Sequence, residues 1–148
     1  MATTATSAQK TEAEEPTSTE QTSDTAAAVT DVAVRFLTIA SAGRAREAWK
    51  RHAAPDFVHH NPTVGGDAES LVEAMDANAR ANPDKVLEIQ RTVAEGPLVA
   101  IHSRVRLSPD QPAAATIHLF RIEDGRICEM WDVVQPEPAS SPNSHGMF

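Results

Sequence analysis

The spacing of the apolar residues changes once along the chain, and this change constrains the fold more than any other sequence feature. Up to about Lys85, apolar side chains recur every three or four residues, which is typical of helices. Beyond Lys85 they alternate with polar side chains, which is typical of strands. Helices grouped before a run of antiparallel strands predict an α+β domain, in which a curved sheet is covered by helices on one face.

The helical part of the sequence divides into three segments. Gly43 interrupts the first apolar stripe, and Pro55 limits the extension of the second. Asp67 is a candidate N-cap for the third helix, and Pro83 closes it. The predicted helices are residues 26–42, 44–52 and 67–82, with a short extended segment at 57–62.

The second part of the sequence contains four predicted strands, at residues 85–94, 98–107, 114–122 and 127–134. Asp124 followed by Gly125 is a strong hairpin signal between the last two strands. If the hairpin closes there, the numbers of facing residues sum to about 249 or 250. His118 then lies opposite position 131 or 132, and one of these registers pairs it with Asp132.

Asp132 is an acidic residue on an otherwise apolar strand face, between Met130 and Val134. Desolvation raises the pKa of such a carboxyl group toward neutrality, so that the group can take a proton from carbon and return it. A hydrogen-bonded pair with His118 that only fixes the sheet register explains the same pattern. The spacing alone leaves both interpretations open.

The overall charge excludes some classes of partner. Thirteen Lys and Arg against 21 Asp and Glu give a net charge of −8, without any basic run. Binding to nucleic acid or to an anionic membrane requires clustered cations, so neither is expected as a partner. No apolar run approaches the roughly 20 residues of a membrane span. The single cysteine, Cys128, cannot form an intrachain disulfide, and we expect a cytoplasmic location.

The termini differ in character from the predicted domain at 26–136. Residues 1–25 are acidic and rich in Ser, Thr and Ala, with no apolar period, which predicts a disordered leader. Residues 137–148 are rich in Pro and Ser, but they end on Met147 and Phe148. Because burying such side chains is favourable, we expect this segment to act as a strap whose last two residues pack back onto the domain.

Five segments carry a family resemblance when they occur together: FVHHNP, GGDAESLVEAM, AEGPLVAIHSRV, IHLFRIEDGRICEMWDVVQPEP and NSHGMF. They resemble the SnoaL-like proteins of the nuclear transport factor 2-like superfamily, and the resemblance extends over about residues 28–148. The nearest resemblance is to the branch described as predicted aldol-condensation-catalysing polyketide cyclases. It implies a cystatin-like cone, in which a strongly curved mixed or antiparallel sheet wraps around three helices.

The resemblance also implies an activity. In characterised cyclases of this superfamily, an acid in the cone does general acid/base work on a ketone substrate, without metal or cofactor. The corresponding residue by position is Asp132 in the WDV segment, and the matching histidine is His118 in IHLFR. Two departures stand out: Met130 replaces the histidine usual before WD, and His118 stands where many relatives have Asp.

Our leading hypothesis is therefore a metal-free and cofactor-free enzyme that catalyses aldol cyclisation or isomerisation of a small apolar carbonyl compound. Asp132 is the expected base, and His118 is its partner or the donor to the enolate oxygen. The expected substrate-binding residues are His60 and Asn61 at the mouth, His102, and the apolar walls Phe57, Phe120, Met75 and Trp131.

Two other classes of function stay open. One is a non-catalytic domain that binds a small molecule or serves as a dimerising scaffold. A homodimer is expected in either case, through an outward apolar set comprising Val99, Ile101, Val105, Ile117 and Leu119. The other is a hydrolase, for which Arg104 and Glu129 are the candidate charged residues. Adjacent His59 and His60 with two strand histidines do not have the spacing of a metal signature.

Overall fold

Three helices and a five-stranded mixed sheet make up the part of the chain that the computed structural model describes, which is the backbone of residues 18–148 and the side chains of 25–148. The elements are α1 Ser18–Ser41, α2 Ala45–His52, β1 Ala53–His59, α3 Ala68–Ala81, β2 Val86–Glu95, β3 Leu98–Arg106, β4 Ala114–Glu123 and β5 Arg126–Pro136. This arrangement confirms the predicted α+β fold.

The strand order in the sheet is β1-β5-β4-β3-β2. Strands β2 to β5 form an antiparallel meander, and β1 pairs with β5 in parallel. Strand β1 begins at Ala53, four residues before the predicted extended segment. Pro55 fits there because β1 is an edge strand and its pairing with β5 is irregular between Ala53 and Val58.

The helices agree with the sequence pattern at most boundaries. Asp67 caps α3 as predicted, and its Oδ1 accepts a hydrogen bond from the Ser70 backbone N–H at 2.9 Å. Helix α1 begins at Ser18 rather than Ala26, so residues 18–25 of the predicted leader are helical. The prediction for residues 1–17 lies outside the described residues. Within the described chain, no helix is both long and apolar enough to cross a membrane.

The hydrophobic core lies between α1 and the inner face of the sheet. The rings of Phe36 and Phe120, both 0% exposed, meet edge to face with their centroids 5.8 Å apart. In β5 both Ile127 and Met130 are buried, although simple alternation places them on opposite faces. The reason is a bulge: Ile122 pairs with Ile127 and Arg121 pairs with Glu129, which leaves one extra residue in β5.

The structure reverses the predicted orientation of β3, which is the second of the four strands predicted from the sequence. Val99 and Ile101 are 0% exposed and belong to the core, and Val105 lines an internal cavity. These three residues therefore cannot form the dimer surface that the sequence pattern assigned to them. Ile117 and Val133, which pair across β4 and β5, are exposed on the opposite, outer face of the sheet.

The last residues of the chain contact this outer face. The Phe148 ring lies parallel to the His102 imidazole at a centroid distance of 6.1 Å, and the Arg104 guanidinium carbon lies 5.3 Å from its centroid. Met147 and Ile117 both line a shallow depression on this face, which His102 also lines. Residues 147 and 148 are thus placed on the outer face of the sheet, away from its inner face.

Candidate active site

A cavity of about 500 Å³ lies between the inner face of the sheet and helices α1 and α3. This volume is suited to a small-molecule ligand. Most of the wall is aliphatic, with residues such as Leu37, Val105 and Leu107. Six polar side chains interrupt it: Ser41, Asn78, Lys85, Thr116, His118 and Asp132.

His118 and Asp132 lie directly opposite each other on β4 and β5, and both line the cavity. This is one of the two registers that the hairpin prediction allowed. The bulge next to Arg121 explains why facing residues sum to 249 near the turn and to 250 at the pair. Among the hydrogen bonds of the described residues, none joins the two side chains. The pair therefore does not fix the sheet register through a hydrogen bond of its own.

The Asp132 carboxylate is held by one oxygen only. Its Oδ2 accepts a hydrogen bond from Asn61 Nδ2 at 2.9 Å. Asn61 is oriented by Thr63, whose backbone N–H and Oγ1 donate to Asn61 Oδ1 at 2.9 and 2.7 Å. The other carboxylate oxygen, Asp132 Oδ1, is buried and has no partner among the described residues. The site therefore presents a fixed carboxylate with one oxygen available to a ligand.

His118 is a neutral imidazole in this environment. Burial lowers its pKa from 6.5 to about 4, although the nearby Asp132 carboxylate opposes the change. The ring lies nearly parallel to Phe120 at a centroid distance of 6.1 Å. Its Nδ1 is buried without a partner in the described part of the chain. A neutral imidazole has one N–H donor and one acceptor nitrogen, so it can stabilise a developing oxyanion or receive a proton.

The loop at 60–67 brings Asn61 to Asp132. Buried His59, the last residue of β1, holds this loop in place through its hydrogen bonds. His59 Nε2 lies 2.8 Å from the Gly65 carbonyl oxygen, and the Asn61 backbone N–H donates to His59 Nδ1 at 3.4 Å. These contacts are consistent with the tautomer that carries its proton on Nε2. Sequence reasoning missed the role of His59, although its place two residues after Phe57 puts both on one strand face.

The structure brings Met75 and Asn61 to the predicted pair, in different ways. Met75 lines the cavity with His118 and Asp132, whereas Asn61 reaches Asp132 from the loop. Phe57 and Phe120 are buried in the core and do not line the cavity, which corrects the expectation that they form its walls.

Three other predicted site residues lie on the outer face, which corrects the expectation that they contact the substrate. Trp131 precedes Asp132 and points to the other face because successive strand residues alternate. The His60 ring stacks on Trp131 at 4.8 Å, and His60 Nε2 lies 2.8 Å from Glu129 Oε1. His102 contacts Phe148, as described above.

Lys85 and Asn78 are cavity residues that the sequence analysis did not identify. Lys85 follows Pro83 at the boundary between the helical and strand patterns, where periodicity carries no information about side-chain direction. Asn78 lies on α3, and the two side chains are joined by a hydrogen bond from Lys85 Nζ to Asn78 Oδ1 at 2.8 Å. The sequence gives no local signal for this pairing.

The described residues contain no group of three or more His, Cys, Asp or Glu side chains placed to hold a metal ion. The histidines that a metal site would need are divided between the two faces of the sheet. The residues considered for a hydrolase also lie apart from the cavity. Arg104 forms an ion pair with Glu88 at 3.5 Å, and Glu129 is bound by His60 and Arg121.

The chain belongs to the SnoaL-like family of the nuclear transport factor 2-like superfamily. The model of the SnoaL-like domain matches residues 33–130, which include β1 to β4, the first five residues of β5 and most of the cavity wall, and the match ends two residues before Asp132. No curated protein matches the sequence significantly.

Several solved structures share the fold. AclR, a proposed hydroxylase from Streptomyces galilaeus, is 21% identical with a TM-score of 0.64, over 74% of this chain and 90% of that one. Wild-type IdmH, a proposed polyketide cyclase from Streptomyces antibioticus, is 22% identical with a TM-score of 0.62, over 72% and 91%. A proposed SnoaL-like polyketide cyclase from Jannaschia sp. CCS1 is 14% identical with a TM-score of 0.64, over 82% and 91%. At these identities the likeness concerns the fold.

Proposed function

We propose that this protein is a cofactor-independent enzyme that removes a proton α to the carbonyl group of a small apolar compound and promotes aldol cyclisation or isomerisation. The observation that carries the proposal is the state of Asp132. One carboxylate oxygen is fixed by Asn61, and the other is buried and unpartnered in a mostly aliphatic cavity, opposite a neutral imidazole. A buried polar atom without a partner is costly unless a ligand satisfies it.

The proposed reaction begins with the transfer of an α proton from carbon to Asp132 Oδ1. The electron pair of the broken C–H bond forms an enolate, whose oxygen accepts a hydrogen bond from the neutral His118 imidazole. In cyclisation, the enolate carbon attacks a second carbonyl of the same molecule and forms a C–C bond. Asp132 then returns its proton to the new alkoxide oxygen. In isomerisation, it returns the proton to another carbon of the same substrate.

The walls of the cavity support this chemistry because they are mostly apolar and therefore lower the local dielectric. Apolar side chains such as Leu37 and Met75 line the same cavity as the pair, and a low dielectric strengthens the interaction of the enolate with His118. Asn61 holds Asp132 in one orientation, so little reorganisation is needed when the proton moves. The names of IdmH and of the Jannaschia protein as polyketide cyclases agree with this class of reaction, whereas that of AclR points to another.

The test is the Asp132→Asn variant, which keeps the shape of the side chain and loses the base. With 1,5-diketones as substrates, ring closure can be followed by NMR as the loss of one ketone and the appearance of the cyclic β-hydroxy ketone. We expect turnover to fall by about 10²- to 10⁴-fold. Asp56→Asn is the matched control, because it removes the same charge at an exposed position of the edge strand. Equal turnover of Asp132→Asn and the parent would remove Asp132 from the mechanism.

The same cavity supports a second function, non-catalytic binding of a small apolar molecule, because aliphatic walls give affinity without any chemistry. Binding of diketones without ring closure by the parent protein would favour this second function over the first.

We also propose that the protein forms a homodimer through the outer face of the sheet. Ile117 and Val133 face each other across β4 and β5 and are 40% and 66% exposed. Apolar surface of this kind is commonly covered in assemblies. Sedimentation at micromolar concentration tests the proposal, and a monomer of 15.9 kDa would refute it.

A further inference from the structure

Lys85 lies at the rim of the cavity, at the opposite end from Asp132. Leu87, Val105 and Ala114 form one row across the sheet, and this row continues to Pro136 on β5. Asp132 lies four residues before Pro136, which corresponds to about 13 Å along the strand. Lys85 precedes Leu87 by two residues and therefore lies beyond that row, farther still from Asp132.

The Lys85 ammonium group has no counterion within the described residues. It is half-buried, and its only polar contact among the described residues is with the neutral amide oxygen Asn78 Oδ1, at 2.8 Å. The neighbouring Asp84 forms no ion pair with it in the described chain. Burial lowers the pKa of Lys85, since no carboxylate compensates for the lost hydration. In the part of the chain that the structure describes, no other Lys or Arg lines the cavity.

The backbone and Asn78 hold this group in place. The Lys85 backbone N–H donates to the Asn82 carbonyl oxygen at 3.1 Å, which fixes the turn between α3 and β2. Because Asn78 Oδ1 accepts from Lys85, Asn78 Nδ2 is left as a donor, and it has no partner among the described residues. An ammonium and an amide N–H side by side match the two oxygens of a carboxylate.

We propose that Lys85 and Asn78 bind a carboxylate at one end of the ligand, so that the substrate is an elongated, monoanionic keto acid with its carbonyl group toward Asp132. This inference rests on the proposed function and names its substrate class. A single cation neutralises one negative charge, which favours a carboxylate over a phosphate. The Asp132 carboxylate repels an anion at the other end of the cavity, so the two charges fix the direction in which the ligand binds.

The test is a binding assay that does not depend on turnover. The neutral fluorophore N-phenyl-1-naphthylamine is bound to the protein and displaced by 10-oxo-10-phenyldecanoate or by its primary amide, which has the same length without the charge. We expect the carboxylate to bind about tenfold more tightly than the amide, as one charge-assisted contact provides. Lys85→Met should remove this preference, and Lys85→Arg should retain it. Lys50→Met, which removes an exposed lysine of α2, is the matched control.

The outcomes separate this inference from the proposed function. Equal affinity of the parent for the two ligands, or a preference that survives in Lys85→Met, overturns the carboxylate site. In that case, a loss of turnover in Asp132→Asn still supports the proposed reaction. Failure of both ligands to displace the fluorophore overturns the carboxylate site and the assignment of the cavity as a binding site together. A carboxylate preference with normal turnover in Asp132→Asn leaves Lys85 as a ligand group and refutes the base.

Discussion

Replacement of His118 tests whether this imidazole is buried and neutral in the folded protein. Its pKa falls from 6.5 to about 4 on burial, a difference that corresponds to about 3 kcal/mol. Below pH 6.5 the unfolded chain takes up a proton at His118, whereas the folded protein does so only below about pH 4. The unfolded state therefore binds more protons in this window, and stability falls as the pH falls.

The size of the effect follows from these two values. At pH 8 neither state is protonated at His118, so the histidine costs almost nothing. At pH 5 the unfolded state is protonated and the folded state is mostly neutral, so the cost is about 2 kcal/mol. A non-titrating residue at this position lacks this pH dependence.

The assay is urea unfolding of the parent, His118→Gln and His145→Gln at pH 8 and pH 5. Between the two pH values, the parent should lose about 2 kcal/mol more of its free energy of unfolding than His118→Gln. His145→Gln removes an exposed imidazole and should behave as the parent does. If all three proteins lose stability in parallel, His118 is not buried as a neutral group, and its role as a hydrogen-bond donor loses its basis.

Three further predictions concern the surroundings of the site. Asn61→Ala leaves Asp132 Oδ2 without its donor, so the free energy of unfolding should fall by about 1–3 kcal/mol in urea titrations, and an unchanged value would show that the contact is dispensable. Trp131→Ala removes a ring from the outer face, so the affinity of the keto acid, measured by displacement of the naphthylamine probe, should stay within about twofold of the parent value, whereas a large loss of affinity would place the ring in the cavity. Deletion of Met147 and Phe148 should lower stability by about 1–2 kcal/mol and lower the melting temperature, with ligand affinity unchanged; an identical melting curve would show that the end of the chain contributes nothing.

Much of the fold could be predicted because its signals are local. The change of period near Lys85, the Asp67 cap and the Asp124–Gly125 turn each act within a few residues. The turn also limited the register to two possibilities, one of which is the observed pairing of His118 with Asp132. The bulge in β5 was not predictable from alternation, because one extra residue shifts which side chains face the core without any marked change in composition.

The composition of the site was harder to predict, because it depends on which face of the sheet is covered. The pattern of β3 was consistent with either face inside, and the wrong choice placed Val99 and Ile101 at the surface. Trp131 and His102 were assigned to the cavity for their chemistry. Each directly adjoins a residue whose side chain is on the inner face, so alternation along the strand places both on the outer face. The contacts of Asn61 with Asp132 and of Lys85 with Asn78 join segments through folded loops and turns, so no sequence spacing encodes them.

The central claim, that Asp132 removes a proton from carbon, is tested most directly by exchange of that proton with solvent. When the keto acid 10-oxo-10-phenyldecanoate is placed in deuterated buffer, loss of the proton signal next to its ketone can be followed by NMR. This compound has no second ketone, so the exchange is observed without ring closure. We predict that the parent protein and Asp56→Asn accelerate the exchange over buffer, and that Asp132→Asn reduces the acceleration by about 10²- to 10⁴-fold. Exchange at the parental rate in Asp132→Asn, or no acceleration by the parent, would contradict the account.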